Sequence, residues 1–158
     1  MAATLDNKKL NKTLKIFAVA QAGLLALLVF MAVNFQGKLQ LLGRSPQFMS
    51  GVIAASVIQL LLFYPIYKFA AKEVARDLAL FGSTPTPEES KAYNKKKRWS
   101  DVIKMAVFGF FSIFLLAAPS DPLVLSVIYY SFILTILTYL QSYNFAAKRL
   151  GRGSAGKA

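Results

Sequence analysis

The chain has no cysteine and no histidine in its 158 residues. The first absence excludes a disulfide framework, thiol redox chemistry and any thiolate-bound metal. The second removes the commonest general base and the commonest axial ligand of haem. Acidic residues are scarce as well, 7 Asp and Glu against 19 Lys and Arg, for a net charge of +12. No Asp or Glu falls inside any of the long apolar runs, so an intramembrane proton relay of the usual carboxylate kind has no residue to run on. Read along the chain, no Gly-rich phosphate loop, no paired carboxylates at a membrane face and no nucleophile with an adjacent base stands out. The expectation is therefore a non-catalytic protein with no cofactor and no metal.

What is present is apolar. Hydrophobic residues make up 56% of the chain and the mean hydropathy is +0.47, above the roughly 45 to 50% apolar share of an ordinary soluble domain. Four segments have the length of a spanning helix: Ile16 to Phe35, Phe48 to Tyr67, Val102 to Ala118 and Leu123 to Tyr143. Lys104, near one end of the third, is their one charged residue. The expected fold class is all-α, an integral membrane protein with four transmembrane helices. A cleaved signal peptide is not expected at the N-terminus, because the first apolar run is longer than the roughly 7 to 15 residues of a signal h-region.

The basic residues are distributed as a topology signal. Seventeen of the nineteen Lys and Arg lie in the N-terminal segment, in the stretch from Lys68 to Lys104, and in the C-terminal segment; the two other connections hold only Lys38 and Arg44. The positive-inside rule then places both termini in the cytoplasm and the protein in the cytoplasmic membrane. Tyr64, Tyr67, Trp99, Tyr139 and Tyr143 fall where an aromatic belt at the inner interface belongs.

The long basic connection reads as helix rather than loop. Phe69, Ala70, Val74, Leu78 and Phe81 recur at helical spacing opposite Lys72, Glu73, Arg76 and Asp77, and Gly82 stands where a C-cap glycine would. Thr86, Pro87 and Glu89 supply an N-cap, an N1 proline and the N3 acid of a capping box. A helix from Pro87 to Ala118 would be about 48 Å long at 1.5 Å per residue, longer than the hydrocarbon core, so helices two and three are expected to extend together as a cytoplasmic stalk. Pro65 should kink the second helix.

Tyr67 to Arg76 nearly recurs as Tyr143 to Arg152, with Tyr, Phe, Ala, Ala, Lys and Arg at matching positions. Both copies lie where an apolar run gives way to a basic one, which suggests two tandem hairpins, about 7–81 and about 87–150, in a single domain of residues 1–150. The first hairpin has a long connection, Asn34 to Gln47; in the second, Ala118 to Pro122 form a turn so short that helices three and four must be antiparallel neighbours. Residues 151–158, rich in Gly, Ser and Lys, read as a disordered tail.

Candidate sites are few. Gln21 and Gln59 are the most polar side chains deep in the first hairpin and are placed to bond each other; an interhelical hydrogen bond is the default reading and a polar solute site the sharper one. Ser126, Ser131, Thr135 and Thr138 invite the same two readings. Ala18, Ala22 and Ala26, and likewise Gly51 and Ala55, form small-residue stripes for helix contact, while Phe108, Phe110, Phe111 and Phe114 must in part face lipid or another subunit. Lys95, Lys96, Lys97 and Arg98 followed by Trp99 suit an anionic lipid surface or a protein partner. Asp101 and Lys104 are spaced as an ion pair on one helix face. Nucleic acid is not expected as a partner, for want of stacking or groove-reading elements. The functional expectation is an accessory, assembly or scaffold subunit of a membrane complex, with other membrane subunits, self-association and anionic lipid as partners. The alternative is a small oligomeric transporter or channel.

The charge partition makes a direct forecast. With no native cysteine in the background, Ser120→Cys is expected to react with an impermeant maleimide in intact cells and Ala155→Cys only after permeabilisation. The reverse pattern would invert the assigned orientation.

Overall fold

A computed structural model describes the backbone of residues 2–81 and 86–155 and the side chains of residues 12–79 and 86–150. The described residues form four helices: α1 (Ala2–Leu41), α2 (Ser45–Phe81), α3 (Pro87–Ala117) and α4 (Pro122–Ala155). All four are long and apolar enough to cross a membrane. The expected C-cap Gly82 lies outside the described residues. The expected tail is helical in its first part, since α4 continues through Ala155.

Helix boundaries follow local chemistry. Gly43 has a left-handed φ of 68°, and the amides of Gly43 and Arg44 donate to the carbonyls of Gln40 and Leu39. That pair of bonds is the Schellman ending of α1, which a glycine permits without steric penalty. The first connection is therefore only residues 42–44, not the Asn34 to Gln47 loop that hydropathy suggests: the polar residues Asn34, Gln36 and Lys38 stay helical because nothing before Gly43 stops the helix. At the start of α3 the capping box is complete, with Thr86 Oγ1 accepting from the Glu89 amide and Glu89 Oε2 from the Thr86 amide. Asp121 begins α4 by accepting the amides of Leu123 and Val124, and its other carboxylate oxygen is 2.6 Å from Arg44. The Arg44 guanidinium, followed by the Leu123 amide, holds the Asp121 carboxyl below the ordinary carboxylate range. This ion pair joins the α1–α2 turn to the α3–α4 turn.

Packing does not follow the expected pairing into hairpins. The largest interface is between α2 and α4, and contacts advance in the same direction along both, from Gly51 beside Ser126 to Asp77 beside Tyr143. They are parallel neighbours. α4 is the central helix: Tyr130, Ile133, Leu137, Leu140, Tyr143 and Ala146 are all buried. At the basic end, Ala70 and Val74 of α2 pack with Tyr143, Ala146 and Ala147 of α4, and Leu14 and Phe17 of α1 close over them. The two copies of the Tyr-x-Phe-Ala-Ala segment thus meet face to face, their alanines allowing close approach. The end that sequence assigns to a stalk of helices two and three alone is built from α2, α4 and α1, with α3 along one side.

α3 is the outlying helix. Its rings at Phe108 and Phe111 pack on Phe132 of α4, while Phe110, Ile113, Phe114 and Leu116 remain exposed. The alanine stripe of α1 is exposed too, whereas Gly51 and Ala55 are buried in the α2–α4 seam. A Cβ at Gly51 would stand 3.1 Å from Leu123 Cδ1 and 3.2 Å from Ser126 Oγ. Gly51→Leu is accordingly expected to destabilise the fold by about 1 to 3 kcal/mol through overpacking, whereas Gly23→Leu, where nothing lies within 4 Å, leaves it nearly unchanged. Thermal unfolding of the two variants in one detergent checks this.

Candidate functional site

The chemistry of the molecule concentrates where α2, α3 and α4 meet at the basic end. Glu73 is buried there, 7% exposed, a position that demands partners for its charge. It has three. Lys104 Nζ of α3 lies 2.5 Å from Oε1, Tyr139 of α4 donates its hydroxyl to Oε2 at 2.6 Å, and Arg76 Nη2 approaches Oε1 at 3.4 Å. One turn further along α2, Asp77 accepts the hydroxyls of Tyr93 from α3 at 3.2 Å and Tyr143 from α4 at 3.0 Å. The arrangement is two-tiered because the i, i+4 spacing of the carboxylates on α2 meets the same spacing of the tyrosines on α4.

The cations join the tiers. The Arg76 guanidinium lies over the Tyr93 ring, donates to the Lys96 carbonyl at 3.0 Å, and approaches Asp77 at 3.7 Å. Lys104 sits over the Tyr139 ring and is also 3.7 Å from Asp101. The expected Asp101–Lys104 pair is therefore present, but Glu73 is the closer partner.

Beside this network, α2 and α3 line an open groove of about 760 Å³. Phe69, Lys72 and Arg76 line it from α2, and Lys96, Trp99 and Ile103 from α3. The basic run read as one feature is thus divided: Lys96 and Trp99 line the groove, while Lys95, Lys97 and Arg98 are exposed outside its lining. Successive residues on a helix point about 100° apart, so a contiguous run cannot occupy one face.

The two glutamines do not bond each other. Gln59 donates to Thr138 Oγ1 at 2.6 Å and accepts from Thr135 at 3.4 Å; Gln21 accepts from Asn144 at 3.4 Å. Both turn to α4 because that helix, rather than α1, is the main neighbour of α2. Among the described residues, Gln21 Nε2, Asn144 Oδ1, Tyr130 Oη and Ser131 Oγ are buried without a hydrogen-bond partner in the protein.

Sequence reasoning overlooked Glu73, Asp77, Tyr139 and Tyr143 as a unit. It assigned the acids to a solvated helix face and the tyrosines to an interfacial belt, and found no paired carboxylates at the membrane face. Glu73 and Asp77 stand one turn apart on α2, each accepting from a tyrosine of α4. Their spacing, matched by the tyrosines, was the available signal; that α2 and α4 are neighbours was not. Comparisons with protein-family models, curated proteins and solved structures found no match.

Glu73→Ala is expected to cost about 1 to 3 kcal/mol, less than for a fully buried pair because Lys104 retains Asp101 and partial exposure. Tyr139→Phe, which removes one hydrogen bond to a charged group, is expected to cost about 1.5 kcal/mol. The double variant should fall short of the sum, a coupling that a double-mutant cycle in thermal unfolding reads directly.

Proposed function

We propose that the chain is a four-span protein of the cytoplasmic membrane, with both termini and the Lys68 to Lys104 region on the cytoplasmic side. In this reading it is a non-catalytic accessory, assembly or scaffold subunit of a membrane complex. The observation that carries it is the exposed apolar face of α3, the helix that packs least against the others. The carboxylates of α2, Glu73 and Asp77, are directed inward and occupied in joining α2, α3 and α4, while α3 leaves a long apolar face exposed, with Met105, Ile113 and Leu116 at 71%, 66% and 89%. A span with such a face beside a basic cytoplasmic end is suited to packing against another membrane subunit or a second copy of this chain.

A transporter or channel is the second reading, favoured by one observation. Gln21, Tyr130, Ser131 and Asn144 carry buried polar atoms without protein partners, and Gln59, Thr135 and Thr138 continue this polar strip along α4. Such atoms inside a membrane bundle are suited to water or a polar solute.

The two readings separate on one pair of variants. For an accessory subunit, Gln59→Leu leaves assembly intact, and neutralising Lys95, Lys96, Lys97 and Arg98 lowers recovery of co-purifying membrane subunits after mild detergent extraction. For a transporter, purified protein moves a solute across liposomes, Gln59→Leu abolishes the flux, and the basic cluster is dispensable. Flux with that dependence would displace the scaffold reading.

A further inference from the structure

The groove between α2 and α3 holds more positive charge than the Glu73 network consumes. Lys72 from α2 and Lys96 from α3 both line it and are exposed, and neither belongs to an ion pair among the described residues. Two carboxylates also line it: Glu73, met by Lys104, Arg76 and Tyr139, and Glu89, which keeps its charge while it caps α3, so the lining carries three cations against two anions. Arg76 adds positive potential behind the two lysines, with its Nη atoms turned to Glu73 and the Lys96 carbonyl.

The groove is graded along its length. α2 and α3 are antiparallel here, since Glu73 meets Lys104 while Asp77 meets Tyr93. Arg76 and Lys96 therefore share one level, Lys72 and Trp99 lie one turn nearer the uncharged stretches of both helices, and Phe69 and Ile103 lie about one turn beyond them. A volume of about 760 Å³ is within the roughly 300 to 1,000 Å³ of small-ligand sites. Cations above, an indole at the boundary and apolar walls below match a molecule with an anionic head and a hydrocarbon body.

We propose that this groove is a binding site for one anionic phospholipid, its headgroup phosphate held between Lys72 and Lys96 and an acyl chain lying over Phe69, Trp99 and Ile103. The proposal rests on the membrane placement given above, and it goes further by distinguishing a built site from diffuse attraction to a basic surface. Lys95, Lys97 and Arg98 contribute only the latter.

Trp99 is the sole tryptophan of the chain, so its emission reports on the groove directly. The test titrates the full chain, in nonionic detergent, with phosphatidylglycerol carrying brominated acyl chains that quench indole fluorescence on contact. Phosphatidylcholine with the same chains is the comparison. Quenching is expected at lower concentration with phosphatidylglycerol, and Lys72→Gln with Lys96→Gln should raise its midpoint about tenfold or more. Lys95→Gln with Lys97→Gln, an equal charge loss outside the groove, should move it less than about twofold. Equal effects of the two pairs, or equal quenching by both lipids, overturn the site. Reversal of quenching by millimolar glycerol 3-phosphate would identify a soluble phosphate ester as ligand and overturn the lipid assignment. Failure of the membrane orientation itself appears separately, in the cysteine labelling pattern.

Discussion

The arrangement of the helices depends on the burial of one carboxylate. An ionised Glu73 shielded from water is tolerable only if its oxygens are met by cations and hydroxyls, and no single neighbouring helix offers enough of them. Lys104 comes from α3, Tyr139 from α4 and Arg76 from α2 itself. Satisfying this group therefore fixes the rotation of α4 about its axis and draws the basic end of α3 towards α2, from which its apolar half is otherwise separate. Asp77 repeats the solution one turn away with Tyr93 and Tyr143. Because the partners are hydroxyls and cations rather than apolar groups, the contact is directional, and it sets register where a greasy helix surface would allow sliding.

The α2–α4 seam gives the sequence repeat a physical meaning. Ala70 and Ala71 in one segment and Ala146 and Ala147 in the other belong to the same packed cluster, so two similar surfaces are placed against each other along two parallel helices. Small side chains let the backbones approach, which strengthens dispersion between the two helices. The copies differ where their tasks differ. The position of Glu73 is occupied by Arg149 in the second copy, and Arg149 is exposed, so α2 supplies the carboxylates and α4 supplies the tyrosines that meet them.

Two helices are left with work undone inside the bundle. α1 shows its Ala18, Ala22, Ala26 stripe outward, and α3 shows most of its phenylalanines outward. Meanwhile α2 and α3 line the groove beside the ionic network.

The four helices and the N-terminal cap of α3 were legible from the chain because each depends on local chemistry. Apolar runs of spanning length, the Thr86 and Glu89 box, and the turn at Pro119 to Pro122 involve residues a few positions apart. The expected Pro87 to Ala118 helix is found as Pro87–Ala117. Gly43 was equally local, but the polar residues before it masked how far α1 continues. That α3 and α4 are neighbours was legible from their short turn; that α2 and α4 form the main interface was not. The repeat and the short second turn suggested two hairpins, whereas side-chain size and the needs of Glu73 selected α2 and α4 as the main pair. From that choice follow the glutamines bonding to α4, the tyrosines as carboxylate ligands, and the separation of Lys96 from its neighbours in a run of four. Sequence alone determined where the helices are, because backbone hydrogen bonding and hydrophobicity act along the chain. Tertiary structure decided what the polar side chains do, because a buried charge selects its partners by distance in space, here 66 residues away for Tyr139 and 31 for Lys104.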